Sequence, residues 1–284
     1  MAPRRPMAAG LVLLALLALL CASCGDFPDG PASAHELPAQ AASPSSVEPT
    51  PSPREFLEVA EGEATHTAEE PPQASVPAPK SVERSAWAVR ATSDRLRVYA
   101  GSREATRRRS IDALNPWGQR IAFPVRDVRV RKETTWYRIL LGVEPNGSTG
   151  WIKGSDVTFD RIRHFVVVDL SRRELRHYRD GKLRHRFTVG IGSRRTPTTT
   201  GRFFVWAHLN PRDASGPYGS YLLGLSGFSE VLTYWPGGGR MAIHGTSHAS
   251  DRGQRVSYGC PRVYNPQMER LRAIQMGSTV VIRH

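Results

Sequence analysis

From Gly25 to Lys80 the chain is built largely of proline, alanine, serine and glutamate, with hardly any aromatic or β-branched residue. A segment like this cannot bury enough apolar surface to offset the entropy of ordering it, which predicts a disordered tether. Any core must therefore come from residue 81 onward. The 56 residues of the tether would reach roughly 40 Å as a flexible coil, and further where proline stiffens it. At 284 residues the chain has room for about two ordinary domains after that segment.

The residues before the tether predict export. Arg4 and Arg5 make a short basic region, and Leu11–Leu20 is an apolar run too short to span a bilayer but suited to a signal peptide. The arginine pair is also a weak twin-arginine cue. The run ends in Cys21-Ala22-Ser23-Cys24, which resembles a bacterial lipobox. That resemblance implies cleavage before an acylated Cys24, with residues 1–24 as the lipoprotein signal. The expected location is outside the cytoplasm, lipid-anchored to a membrane and facing the periplasm or cell wall. Only three cysteines exist, so Cys260 would be the one free thiol of the mature protein. An unpaired thiol in an oxidising compartment is a candidate for reactive chemistry.

Charge divides along the chain. Residues 25–80 hold ten acids against Arg54 and Lys80, a net of −8, so with +2 in the signal the chain's +13 leaves +19 on residues 81–284. So basic a surface favours anionic partners. Export argues against nucleic acid and leaves wall polymers, peptidoglycan carboxylates and phospholipid headgroups.

Two β regions are expected. Over 85–158, short apolar runs (Leu96–Tyr99, Trp136–Leu140, Trp151-Ile152) alternate with Gly, Pro, Asn and Ser, as in small barrels. With the closing pair Gly150-Trp151, this pattern resembles the bacterial SH3-like domain, although Arg107–Pro124 carries no landmark of it. Over 160–284, Phe165–Asp169 reads as a buried strand and Asp180-Gly181 as a hairpin turn. Further strands are expected at Gly201–Trp206 and Thr279–Ile282. A helix is expected at 266–275, with Pro266 in its first turn and Asn265 as cap. The fold class is thus mainly β: a small barrel, then an antiparallel domain with one or two helices.

The chemistry concentrates in Ile243-His244-Gly245-Thr246 and Ser257-Tyr258-Gly259-Cys260-Pro261-Arg262. A thiol with an ordinary pKa is only a few per cent thiolate at neutral pH, and a neighbouring imidazole can activate it. His244 is therefore the natural base for Cys260. Gly245 and Gly259 permit close backbone approach to a substrate. The amides around Tyr258, Gly259 and Cys260 can form an oxyanion hole, Ser257 can shape that loop or touch the site, and Arg262 can fork onto a substrate carboxylate.

Together these motifs resemble the YkuD-type L,D-transpeptidase family, over about residues 162–283. The supporting landmarks are the Val-Asp strand, the Asp-Gly hairpin, Pro197–Phe203 and Gly277–Ile282. Where many members carry histidine, this chain has Tyr258. The resemblance implies attack by Cys260 on a peptidoglycan stem peptide, a thioester, and transfer to an amine, with no cofactor and no metal, by a monomer. Tyr218, Trp235 and Arg240, which precede His244, are candidates for holding the stem. Hydrolysis in place of transfer is the alternative within the family, and a non-catalytic wall-binding lipoprotein is one outside it. A papain-like protease is disfavoured because its cysteine precedes its histidine. A zinc site would draw on His244, His248 and Cys260, but Gly245-Thr246-Ser247 makes a helical ligand face between the two histidines implausible.

Overall fold

The computed structural model describes residues 86–233 and 238–284. The signal with Cys24, the tether and Trp235 lie outside the described residues.

Seven strands follow at once: β1 (Trp87–Ala91), β2 (Arg95–Tyr99), β3 (Arg108–Asp112), β4 (Phe123–Arg131), β5 (Thr134–Leu140), β6 (Thr149–Lys153) and β7 (Val157–Arg161). They form one antiparallel sheet in the order β3-β2-β6-β5-β4-β1-β7. Its alternating residues Leu96, Val98, Tyr137, Ile139 and Ile152 turn inward and are buried. Gly150 is where β6 passes this core. A Cβ there would stand 2.1 Å from Val98 Cγ1, and Val98 is itself buried. Gly150→Ala should therefore destabilise the protein by about 2 kcal/mol, read as a lower urea midpoint with an unchanged slope.

The second sheet has eight strands in the order β10-β9-β8-β17-β12-β13-β14-β16. They are β8 (His164–Asp169), β9 (Glu174–Arg179), β10 (Lys182–Thr188), β12 (Gly201–Leu209), β13 (Leu222–Phe228), β14 (Arg240–Thr246), β16 (Arg262–Tyr264) and β17 (Thr279–Arg283). A two-residue strand β11 (Ile191–Gly192) pairs with β15 (Arg255–Ser257). The domain is mainly β, as the strand-length runs predict. It is not wholly antiparallel: β8–β17, β14–β16 and β11–β15 run parallel.

The expected helix is shorter than its pattern. An α1 turn spans Asn265–Met268 and passes into a 3₁₀ turn at Glu269–Leu271. Met268, Leu271 and Ile274 are all buried in one core. Their spacing of three matches the tighter helix, so packing overrides propensity here. Asn265 is no cap. Its side chain accepts from the Ser220 amide at 3.0 Å and donates to the Ala214 carbonyl at 2.8 Å.

The two sheets meet along β12. Phe203 and Val205 face the core of the second sheet, whereas Phe204 and Trp206 complete the core of the first. The connection between β3 and β4 docks on the same strand. Asn115 donates to the Trp206 carbonyl at 3.1 Å, and Gln119 bonds both the carbonyl and the amide of His208, at 2.7 and 3.1 Å. This clasp positions Trp117.

Candidate active site

The spacing between the two motifs has a structural cause. After β14 the chain turns through a 3₁₀ segment (Ala249–Asp251) and β15, then returns beside β14 in parallel as β16. Parallel neighbours require a crossover of a dozen or more residues. The result pairs His244 with Arg262 in register and places Cys260 just ahead of β16. The Ala242 amide donates to the Cys260 sulfur at 3.4 Å, and the His244 amide donates to the Pro261 carbonyl at 3.2 Å. Ala242 and His244 are two residues apart on β14 and so share a face.

His244 is 4% exposed. Its Nδ1–H donates to the Gly245 carbonyl at 2.8 Å, which leaves Nε2 as the basic nitrogen. The orienting group, which the sequence leaves unassigned, is thus a main-chain carbonyl. The Tyr218 ring meets the imidazole edge-on at 5.4 Å. Burial pulls the imidazole pKa down to about 4; the Gly245 carbonyl opposes this, Arg262 adds to it and Asp251 offsets it.

Cys260 is half-buried, against Leu209, Leu222 and Ala242, with Tyr218 and Trp117 alongside. Burial pushes its thiol up, more than the Ala242 amide and Arg262 draw it down. Both groups are therefore neutral at pH 7. The sulfur's hydrogen bond is with Ala242, not the imidazole. A preformed thiolate–imidazolium pair is absent from this geometry. The arrangement suits a base that takes the proton as the sulfur attacks.

The remaining residues divide between site and scaffold. Ser257 is buried and accepts the Gly259 amide at 3.2 Å, which commits one of the expected oxyanion donors to the loop itself. Gly259 has φ 121, which favours glycine. Tyr258 is 63% exposed. Gly245 is required by close packing rather than by a ligand: a Cβ would lie 2.4 Å from Asn265 Oδ1 and 2.8 Å from the Ser220 nitrogen. Arg262 is partly engaged. Its Nη1 lies 3.2 Å from Asp251 Oδ2, while its Nε is buried without a partner. Asp251 also accepts from Thr246 Oγ1 at 2.8 Å.

Sequence reasoning missed Asp251, since nothing local marks it as the partner of Arg262. Asp251→Asn would strand a guanidinium that is only 21% exposed, and should lower stability by about 2 kcal/mol in urea denaturation at pH 7. Arg240 lines the same cleft as Cys260 but is engaged within the fold. Its guanidinium lies 3.7 Å over the Trp206 ring and 4.2 Å over Phe228, and donates to the Gly142 carbonyl at 3.1 Å.

Cys260, Ala242, Tyr218 and Leu222 line a cleft of about 600 Å³ together with Trp117 and Asn115 from the β3–β4 connection. The Trp117 indole N–H is buried without a partner. The segment that lacked landmarks thus walls the thiol's cleft. Among the described residues no three His, Cys, Asp or Glu side chains converge to hold a metal, and His248 is exposed while His244 is buried.

A thiol just ahead of β16, lining a cleft, and a buried imidazole on the neighbouring β14 make up the candidate site. Residues 163–282 match the YkuD family model, that of the L,D-transpeptidase catalytic domain. The YkuD protein of Bacillus licheniformis is 31% identical over 122 residues, 43% of this chain and 66% of the relative. The YkuD protein of Bacillus subtilis is 26% identical over 149 residues, 50% of this chain and 82% of the relative. Among solved structures, an L,D-transpeptidase from Mycobacterium smegmatis aligns at 12% identity and a TM-score of 0.34, over 57% of this chain and 99% of that one. The ertapenem-acylated catalytic domain of the Enterococcus faecium L,D-transpeptidase aligns at 22% identity and a TM-score of 0.33, over 43% and 98%.

Proposed function

We propose that this protein is a peptidoglycan L,D-transpeptidase with Cys260 as nucleophile and His244 as base. The observation that carries the reading is the placement of the Cys260 sulfur against Ala242, two residues along β14 from a histidine whose Nδ1 is held by a carbonyl. In the first step Sγ attacks the carbonyl carbon of the amide between the diamino acid of a stem peptide and its terminal D-alanine. The thiol proton passes to His244 Nε2 and on to the leaving amine, so D-alanine departs and a thioester remains. An acceptor amine then attacks the thioester, its proton returns through His244, and the thiol is regenerated. Water in place of the amine would make the enzyme an L,D-carboxypeptidase. No cofactor is needed for either course.

Export and lipid attachment through Cys24 belong to the same proposal, with an SH3-like unit over 85–158 holding the catalyst against the wall. Within the cleft, the unpartnered Trp117 N–H is a polar group available to a stem peptide. Trp117→Phe, which keeps the bulk and removes that donor, should raise KM about tenfold with kcat little changed.

Purified protein incubated with disaccharide tetrapeptides and analysed by mass spectrometry tests the function. Release of D-alanine with a cross-linked product supports transfer, and release without a cross-link supports the carboxypeptidase. Unaltered muropeptides, with no covalent adduct after carbapenem treatment, would overturn the enzyme reading in favour of a wall-binding lipoprotein.

A further inference from the structure

The second sheet has a flank turned away from its own core. Along β8, β12 and β17 the core takes Val166, Val168, Phe203, Val205, Val280 and Ile282. By alternation their neighbours Phe165, Val167, Arg202 and Arg283 face the other way. The first sheet covers only part of this flank, through Phe204 and Trp206. The uncovered part is a groove of about 1310 Å³, bordered on the other side by β4 and β7.

Its walls are crowded with guanidinium groups. Arg176 is occupied by Asp169 at 3.4 Å and Glu174 at 3.1 Å, and Arg163 approaches Asp180 at 3.9 Å. Arg126, Arg161, Arg202 and Arg283 also line the groove, and none of the four has an ion-pair partner among the described residues. Arg126 and Arg202 come from different sheets, and their repulsion adds to burial in lowering the Arg126 pKa. Four like charges around a partly apolar floor of Phe165, Val167 and Tyr178 call for an occupant that is both acidic and apolar.

The same chain carries one. Residues 55–70 contain six glutamates and no lysine or arginine, and Phe56, Leu57 and Val59 are interleaved with the first of them. Ala86, the first described residue, lines the groove, so the chain enters the folded part at its edge. Fifteen residues lie between Glu70 and Ala86, a reach of up to roughly 50 Å when extended. We propose that the Glu55–Glu70 segment docks in this groove, its glutamates on the four arginines and its apolar residues on the floor. A tethered ligand has a millimolar effective concentration, so modest affinity suffices. Docking would shorten the tether, and salt would release it. The inference is independent of the thiol chemistry, because none of these residues lines the Cys260 cleft.

Thermolysin cleavage at Phe56–Val59 in the full-length chain tests it. Cleavage should be about tenfold slower in low salt than in the variant with Arg126, Arg161, Arg202 and Arg283 all changed to Gln, and the difference should vanish in molar NaCl. The matching set of Arg→Lys changes should keep most of the protection, which separates docking from misfolding. As a second arm, a labelled peptide of residues 50–75 should bind the chain whose six glutamates are changed to Gln more tightly than it binds the wild type, whose groove is already filled. Equal cleavage of the wild type and the Arg→Gln variant would overturn the proposal. So would protection that appears only when an added polyanion fills the groove.

Discussion

Cys260→Ala is expected to abolish covalent capture altogether: the protein should gain no carbapenem adduct and release no D-alanine, while folding as before. The substitution removes one sulfur from a half-buried position and leaves the backbone contact between His244 and Pro261 in place. His244→Ala should retain the thiol yet slow acylation by roughly 10²–10⁴, the usual contribution of a positioned base. The electrostatics of the pair make a sharper claim. Burial raises the thiol and lowers the imidazole to about 4, so neither is charged at pH 7. Iodoacetamide should therefore label Cys260 more slowly than a free cysteine at neutral pH, with a rate that climbs as pH rises beyond the ordinary thiol range. Fast labelling, level between pH 5 and 8, would reveal a standing ion pair and defeat the neutral-pair mechanism.

The second large effect is acid lability. His244 is joined by His164 and His177, which are 7% and 3% exposed and both lowered to about 4 by burial. His164 Nδ1 and His177 Nε2 lie 2.8 Å apart, so one ring must donate and the other accept. A second proton on that pair would abolish the bond. The ordinary histidine value is 6.5, so between about 6.5 and 4 the unfolded chain binds more protons than the folded one. The stability these sites contribute is complete above the upper value and is lost as pH falls to the lower. Each unit corresponds to about 1.4 kcal/mol, so an independent site loses about 3 kcal/mol across the window. Counting the coupled pair once gives about 6 kcal/mol, comparable with the whole stability of many domains. Urea titrations at pH 7, 5.5 and 4.5 should show a steep fall, partly relieved in His177→Phe. A flat profile would mean that these rings are hydrated and titrate normally.

Much of the site was legible in one dimension. The crossover between parallel strands imposes a minimum chain length between His244 and Cys260, and motif spacing records that length. Strands were legible for a similar reason: apolar runs at Phe165–Asp169, Gly201–Trp206 and Thr279–Ile282 each match the length of a buried strand. The helix was misjudged because Pro266 and Asn265 carry local start signals, whereas its end is set by burying Leu271 and Ile274. Asp251 and Trp117 had no signal at all. Each matters through a contact beyond its own element, Asp251 with Arg262 across the β15 crossover and Trp117 with the distant Cys260 cluster.

By itself, then, the sequence determined which residue types can do chemistry, how the chain divides into regions of unlike composition, and that its folded part is mainly β. Those properties depend on side-chain identity and on periodicities of a few residues, which are local. Tertiary structure alone decided that both members of the thiol–imidazole pair rest uncharged, that Arg262 is partly held by Asp251, and that the first sheet supplies a wall of the cleft. Desolvation and long-range packing set those properties, and both arise only when distant segments exclude water from one another.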